Sequence, residues 1–200
     1  MMMDEYKTLE GISEGLFKEK GSRFIAIAIP VQTPEEVKQQ LENIRKQYHD
    51  ARHHCYAYRI GEEPFEMRYN DDGEPTGTAG KPIYGQIQSF GLTNVLIVVV
   101  RYFGGIKLGT GGLIQAYKAA TIDALGQGKI VTRTWMVKMD IDFKYEHMNE
   151  VMHLIKQEGL HILEQDFQLE CHIMLEIRQG NIKEMVRKLS SLESVSCRLI

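Results

Sequence analysis

The chain has 200 residues, of which 43% are hydrophobic and 26% are charged, and its formal net charge is −3. This composition is typical of a soluble globular protein and excludes disordered, collagen-like and disulfide-scaffold classes. The nearly neutral charge excludes a nucleic-acid binder that is basic over its whole surface, although it leaves room for a local basic face. Cys55, Cys171 and Cys197 form no C-x-x-C pair, which favours a reducing compartment over a disulfide framework or a Cys-rich zinc site.

Apolar segments along the chain are short. The N-terminal residues lack the basic-then-apolar pattern of a secretory signal. The longest apolar run, from Val95 to Val100, is far shorter than the about 20 residues that span a bilayer. We therefore expect a cytoplasmic protein with no membrane partner.

Glycine and proline divide the chain into two regions. The front region holds nearly all of the glycines and all five prolines, whereas the back region is regular. Between them, Gly126 and Gly128 end a helical pattern, and polar residues follow as far as Thr134. This pattern predicts a boundary near residue 133, with an N-terminal domain over residues 1–132 and a C-terminal domain over residues 133–200.

Apolar periodicity in the N-terminal domain predicts a mixture of strands and helices. Thr33 and Glu36 form a capping box with Pro34 at the first helical position, which predicts the start of a helix. The β-branched run from Asn94 to Phe103 is typical of a central strand that is buried on both faces. The other predicted features are strands at 24–29 and 53–60, the end of the first helix at 48, a turn-rich loop at 70–80, a short helix at 82–90 and a last helix at 113–125.

The C-terminal domain shows strict alternation of apolar and polar residues in two stretches, which predicts half-buried strands. The predicted elements are strands at 137–145, 162–164, 167–177 and 195–200, and helices at 147–159 and 182–192. This β-α-β-β-α-β order is the ferredoxin-like plan, so the sequence predicts an α+β protein. The outer face of this sheet is expected to show acidic residues, among them Asp140 and Asp142, and no aromatic residue, which does not suit stacking on bases.

A glycine-rich stretch follows the buried strand of the N-terminal domain, Arg101-Tyr-Phe-Gly-Gly-Ile-Lys-Leu-Gly-Thr-Gly-Gly112. A junction of strand, glycine loop and helix presents free N–H groups and the positive end of a helix dipole, which suit phosphate. It is no Walker loop, because Thr110-Gly111 stands where Lys-Ser or Lys-Thr is required. The alternative is a tight connection whose glycines serve close packing. The candidate anion or nucleic-acid contacts are Arg101, Gly104, Gly105, Lys107, Gly109, Gly111 and Gly112.

Weaker candidates lie elsewhere in the N-terminal domain, at His53, His54, Asp71, Asp72 and Lys81. The carboxylates of Asp71 and Asp72 could hold Mg²⁺, although Asp-Gly is also an ordinary turn sequence. His53 and His54 precede Cys55 on a predicted strand, where neighbours point to opposite faces, and this argues against zinc or Cys-His catalysis. We expect no metal, no cofactor and no catalytic residue.

Four segments, in their order along the chain, resemble the Impact/YigZ family. They are Lys20-Gly-Ser-Arg-Phe24, His53-His-Cys-Tyr-Ala-Tyr-Arg-Ile-Gly61, Asp71-Asp-Gly-Glu-Pro-Thr-Gly-Thr-Ala-Gly-Lys-Pro82 and Val98-Val-Val-Arg-Tyr-Phe-Gly-Gly-Ile-Lys-Leu-Gly109. The resemblance covers the N-terminal domain, and the C-terminal domain is similar to that of the bacterial members.

This resemblance implies a fold and a class of function. The N-terminal domain should share the fold of a small-subunit ribosomal protein, of domain IV of elongation factor G and of the GHMP kinases, and the C-terminal domain should resemble domain V of that factor. The eukaryotic members regulate translation, whereas the bacterial members have no established reaction. We therefore expect a non-catalytic protein that binds RNA or the ribosome, or a protein partner in translation, and modulates translation. The alternatives are a phosphate- or nucleotide-binding enzyme related to the GHMP kinases, with Asp71 or Asp72 holding its metal, and a protein–protein adaptor.

Overall fold

The computed structural model describes residues 4–192 and 194–200. The chain divides into two compact units, the first over Lys7–Thr132 and the second over Arg133–Ile200 together with residues 4–6. The early residues group with the second unit because the Trp135 N–H donates to the Asp4 carbonyl oxygen at 2.8 Å, and because the rings of Tyr6 and Trp135 stack with centroids 4.0 Å apart. Independent folding of the two units stays a prediction.

The first unit is built on an antiparallel sheet. Its strands are β2 (Ser13–Glu19), β3 (Ser22–Pro30), β4 (His53–Ile60), β5 (Glu66–Asn70) and β6 (Val95–Tyr102), and its helices are α1 (Pro34–Gln47), α2 (Gly80–Ser89) and α3 (Gly109–Gln127). Within residues 7–132, all of which are described, the strand order is β2-β3-β6-β4-β5. In addition, β1 (Glu5–Leu9) pairs with β7 (Ile130–Thr134) in a two-stranded sheet.

Both faces of the five-stranded sheet are covered by helices. The central strand β6 is buried from Val95 to Arg101, as the unbroken apolar run predicted. One face packs against α1, where Val37 and Ile44 are buried. The other face packs against α2 and α3, where Ile83 and Tyr117 are fully buried. The sheet is therefore a layer packed between two hydrophobic cores.

Local signals located some elements and missed others. At the start of α1, the Thr33 hydroxyl oxygen accepts the Glu36 N–H at 3.2 Å, and the Glu36 carboxylate accepts the Gln32 N–H at 2.7 Å, as expected of a capped start. Strands β2 and β5 were not predicted. Both lie at the edges of the sheet, and every residue of β5 is exposed or half-buried, so the apolar alternation that marks a strand is weak there.

The second unit has the predicted β-α-β-β-α-β order. Its elements are β8 (Met136–Lys144), α4 (Met148–Gln157), β9 (His161–Phe167), β10 (Glu170–Arg178), α5 (Ile182–Leu189) and β11 (Val195–Leu199). The strands form an antiparallel sheet of order β11-β8-β10-β9, and its apolar face packs on Val151 of α4 and Met185 of α5. The α+β class predicted from the sequence is confirmed.

One strand boundary in this unit was wrong. The alternation from Phe167 onward predicted a single strand over 167–177, whereas Phe167 ends β9 and β10 begins at Glu170. Leu169 lies in the turn between them and is 90% exposed. The apolar period continues through this tight turn, which contains neither Gly nor Pro, so periodicity alone could not locate it.

Candidate functional site

The hairpin between β2 and β3 lies against the loop that follows β6. The Gly104 N–H donates to Ser22 Oγ at 3.1 Å. A Cβ atom on Gly104 would lie 1.9 Å from the carbonyl carbon of Gly21, so only glycine permits this approach of the two backbones. We call residues 18–23 together with residues 103–112 the hairpin–loop surface.

The hairpin part of this surface carries exposed basic side chains on Lys18, Lys20 and Arg23. Lys18 and Arg23 lie directly opposite each other in the β2–β3 ladder, and Lys20 occupies the turn with a φ of +47°. Like charges at directly opposite positions destabilise a sheet, and a bound anion relieves that repulsion. Lys107 adds a further exposed positive charge from the loop part.

The start of α3 forms the rest of the surface. Within the fully described residues 7–132, Leu108 makes no side-chain cap, and no acidic residue lies in the first turn. The residues from Gly109 to Gly111 are exposed, and the first N–H groups of a helix have no intrahelical partner. The sequence predicted a start at residue 113. The earlier start places Gly109, Gly111 and Gly112 in the first helical turn, where the dipole is positive, and leaves a shorter loop.

At the starts of the other two helices of this unit, side-chain oxygens accept hydrogen bonds from main-chain N–H groups. Thr33 caps α1. At α2, one carboxylate oxygen of Asp71 accepts the N–H groups of Ala79 and Gly80 at 3.0 and 2.8 Å. A carboxylate at that position satisfies the free donors and balances the helix dipole. Among the three helices of residues 7–132, α3 is thus the one at whose start no side chain accepts an N–H group.

The sequence predicted that Arg101 contacts phosphate because it lies beside the glycine-rich loop. In the structure, its charged group is buried and does not lie on the hairpin–loop surface. Its side chain is 7% exposed, and its Nη1 lies 2.6 Å from Oε1 of Glu74, which is 3% exposed. The guanidinium carbon lies 5.3 Å from the ring centroid of Phe24 and 5.6 Å from that of Phe103. Glu74 therefore neutralises Arg101 inside the protein, and the role of Arg101 is corrected from phosphate contact to buried ion pair.

Glu74 also anchors a buried polar cluster. Its Oε1 accepts the Tyr117 hydroxyl at 2.8 Å, and the Cys55 thiol donates to the Tyr117 oxygen at 3.3 Å. Burial raises the pKa of both the Cys55 thiol and the Tyr117 hydroxyl, and the nearby Glu74 carboxylate acts in the same direction. Both groups are protonated at neutral pH, so Cys55 lacks the thiolate that a nucleophile needs.

In the loop before α2, the carboxylates of Asp71 and Asp72 accept hydrogen bonds from main-chain N–H groups of the protein. Asp71 accepts the Gly77 N–H at 2.8 Å in addition to two N–H groups at the start of α2. Asp72 accepts the His54 N–H at 2.7 Å and pairs with Arg45 at 3.6 Å. Among the described residues, no three His, Cys, Asp or Glu side chains are grouped as a metal site. Both carboxylates that the enzyme alternative assigns to a metal thus accept main-chain hydrogen bonds in and around this loop.

The remaining weak candidates are His53, His54 and Lys81. The two histidine rings are hydrogen-bonded to main-chain carbonyl oxygens, and Lys81 lies on α2. Nδ1 of His53 is 2.8 Å from the Asp72 carbonyl oxygen, and Nε2 of His54 is 3.1 Å from the Tyr48 carbonyl oxygen. The two rings therefore contact different loops, as expected for neighbours on a strand. Lys81 is exposed in the first turn of α2.

The face of the C-terminal sheet opposite its helices carries an acidic cluster around His172. Its Nδ1 lies 2.9 Å from Asp142 Oδ1, and its Nε2 lies 3.5 Å from Asp140 Oδ1. The hydrogen bond to Asp142 raises the pKa of His172, and the charges of Asp140 and Glu164 add to this. Asp140 was expected to be exposed but is 4% exposed, because it is covered by its ion pairs with His172 and with Arg198, whose Nη2 lies 3.0 Å away. The carboxylates of Asp140 and Asp142 are thus paired with basic side chains on this face.

No helix within the described part of the chain has both the length and the apolar character needed to cross a bilayer. The fold and the site together define a two-unit α+β protein whose first unit exposes a basic hairpin beside an uncapped helix start. The sequence model of the Impact N-terminal domain matches residues 20–125 of this chain.

Full-length relatives support the same assignment. The chain is 33% identical over 183 residues to the IMPACT family member YigZ of Escherichia coli K12, with 90% of each chain covered. It is 36% identical over 185 residues to an IMPACT family member of Haemophilus influenzae, with 90% of this chain and 88% of the relative covered. A crystal structure described as that of a hypothetical protein superposes with a TM-score of 0.75 at 31% identity, covering 100% of this chain and 98% of the other. The chain belongs to the IMPACT family.

Proposed function

We propose that this protein binds RNA phosphate through the hairpin–loop surface and modulates translation by binding to the ribosome. The observation that carries the proposal is the uncapped start of α3 beside the exposed side chains of Lys18, Lys20, Arg23 and Lys107. Phosphate offers the negative charge that these side chains favour and the acceptor oxygens that the free N–H groups favour.

The chemistry of the surface predicts how RNA is recognised. Lysine ammonium groups and helix N–H groups contact phosphate and read no base edges, so we expect binding to depend little on sequence. The eukaryotic proteins of the family that this sequence resembles regulate translation, which supports a role for this protein in translation.

The test is a comparison of two double variants with equal charge change. Lys20→Ala with Lys107→Ala removes charge from the hairpin–loop surface. Lys38→Ala with Lys46→Ala removes the same charge from the exposed side of α1 and serves as the control. Binding to ribosomes is measured by co-sedimentation, and binding to a labelled RNA by fluorescence anisotropy, each across a salt series.

The proposal predicts that the first variant binds more weakly and has a flatter salt dependence. The loss of two phosphate contacts should reduce the slope of log K against log salt by about 1.4 to 1.8. The control should keep the wild-type affinity and slope, and both variants should unfold at the wild-type urea midpoint. Equal behaviour of the two variants would refute the proposed surface. Ribosome binding that does not change with salt would favour the protein–protein adaptor, and stabilisation by ATP but not by RNA would favour the enzyme.

A further inference from the structure

The loop part of the hairpin–loop surface exposes an aromatic ring. Phe103 is 52% exposed, directly after the buried strand β6. Phenylalanine is among the residues most often buried, and the ring has no polar group that water would solvate. The same loop exposes Ile106 to 56%, so an apolar patch lies within an otherwise basic surface.

The guanidinium group of Arg101 lies over one side of the Phe103 ring. The guanidinium carbon of Arg101 lies 5.6 Å from its centroid, within the range of a cation–π contact. Arg101 is itself fixed by Glu74 at 2.6 Å, and its other neighbour is the buried ring of Phe24 at 5.3 Å. This chain of contacts gives the buried pair a positioning role, because it places an exposed ring on a rigid support.

Phosphate-binding groups lie in the same short segment of chain. The loop that begins at Phe103 contains Lys107 and leads directly into the free N–H groups at Gly109. A flat apolar ring beside groups that favour an anion matches the two parts of a nucleotide, a base with π faces and a charged phosphate. Bases within an RNA duplex are stacked on one another and offer no free face, whereas unpaired bases do.

We infer that Phe103 stacks on an unpaired base, so that the hairpin–loop surface prefers single-stranded RNA to duplex RNA. This inference rests on the proposed function and names its substrate class. An apolar side chain of a protein is the other occupant that would cover the ring. The surrounding positive charges of Lys18, Lys20, Arg23 and Lys107 favour the anionic backbone of RNA over an apolar protein side chain.

The experiment compares the affinities of full-length variants for a single-stranded oligonucleotide of about ten nucleotides and for a duplex of the same length. Phe103→Ala should weaken single-strand binding by about five- to 150-fold and should leave duplex binding unchanged. Phe103→Tyr keeps a ring and should bind as the wild type does. Phe103→Leu keeps apolar volume without a ring and should behave like Phe103→Ala. Met67→Ala is the control, since it removes exposed apolar area from β5, at the edge of the sheet opposite the hairpin.

A spectroscopic signature separates stacking from a general effect on the loop. A fluorescent adenine analogue in the single strand should be quenched by the wild type and by Phe103→Tyr, but not by Phe103→Leu. If Phe103→Leu binds and quenches like the wild type, or if Met67→Ala loses as much affinity as Phe103→Ala, stacking is refuted. If Lys20→Ala with Lys107→Ala weakens binding while Phe103→Ala changes nothing, this inference fails and the proposed function stands. If neither variant weakens RNA binding, both fail.

Discussion

Replacing Arg101 by methionine tests whether its charge stabilises the fold through the buried ion pair with Glu74 or instead contacts phosphate at the surface. In the structure, its Nη1 lies 2.6 Å from Glu74 Oε1, and the two side chains are 7% and 3% exposed. Methionine fills most of the arginine volume but leaves the Glu74 carboxylate buried, with the Tyr117 hydroxyl as its remaining donor. Removing one partner of a buried ion pair costs about 3–5 kcal/mol of unfolding free energy. We expect Arg101→Met to lose about that amount.

The double variant Arg101→Met with Glu74→Gln separates charge from packing. Glutamine is neutral and can still accept the Tyr117 hydroxyl, so no unpaired charge stays buried. Since neutral replacements of buried ion pairs are often tolerated, we expect the double variant to be more stable than Arg101→Met alone.

Urea unfolding followed by far-ultraviolet circular dichroism measures these changes. Trp135, the single tryptophan, belongs to the second unit, so its fluorescence follows the unfolding of that unit. We expect the urea midpoint measured by this fluorescence to be the same in the variants as in the wild type. A loss below about 1 kcal/mol for Arg101→Met would contradict the buried pair, since it would fall in the range of exposed ion pairs. A double variant whose loss equals the sum of the two single losses would contradict the coupling between the residues.

Two further predictions concern the second unit. Because its hydrogen bond to Asp142 raises the pKa of His172 above the usual value of 6.5, this contact stabilises the fold at acidic pH and is lost as pH rises through the raised pKa. His172→Gln should therefore destabilise the protein more at about pH 5.5 than at about pH 8.5 in urea unfolding, and a difference that does not depend on pH would contradict this. A fragment of residues 133–200 should unfold cooperatively on its own because it holds a complete β-α-β-β-α-β core, whereas a fragment that binds hydrophobic dyes would argue against independent folding.

Much of the fold could be predicted because its signals are local. The start of α1 follows from Thr33 and Glu36, three residues apart, and the central position of β6 follows from its unbroken apolar run. The turn at Leu169 could not be located, because the apolar period continues across it. The early start of α3 was missed because Gly109 and Gly111 are poor helix formers, and because Gly109 begins the helix with a φ of +70° that favours glycine.

The candidate site could be predicted only in part because its key contacts join distant residues. Arg101 was expected to contact phosphate from its place beside the glycines, but its partner Glu74 lies 27 residues earlier. The opposition of Lys18 and Arg23 depends on a hairpin register set by the turn at Lys20 and Gly21, which sequence reasoning did not use. The sequence Lys-Gly-Ser-Arg was visible as a family motif, but the basic hairpin that contains it was not predicted.

Backbone amide NMR of the labelled protein, titrated with unlabelled single-stranded RNA, tests the central claim most directly. The free N–H groups of Gly109 to Gly112 and the hairpin from Lys20 to Arg23 should shift progressively with RNA. The N–H groups of Ala79 and Gly80 provide an internal control, since Asp71 already occupies them and they should not respond. Shifts confined to α1 or to the sheet around His172, with Gly109 to Gly112 unchanged, would contradict RNA binding at the hairpin–loop surface.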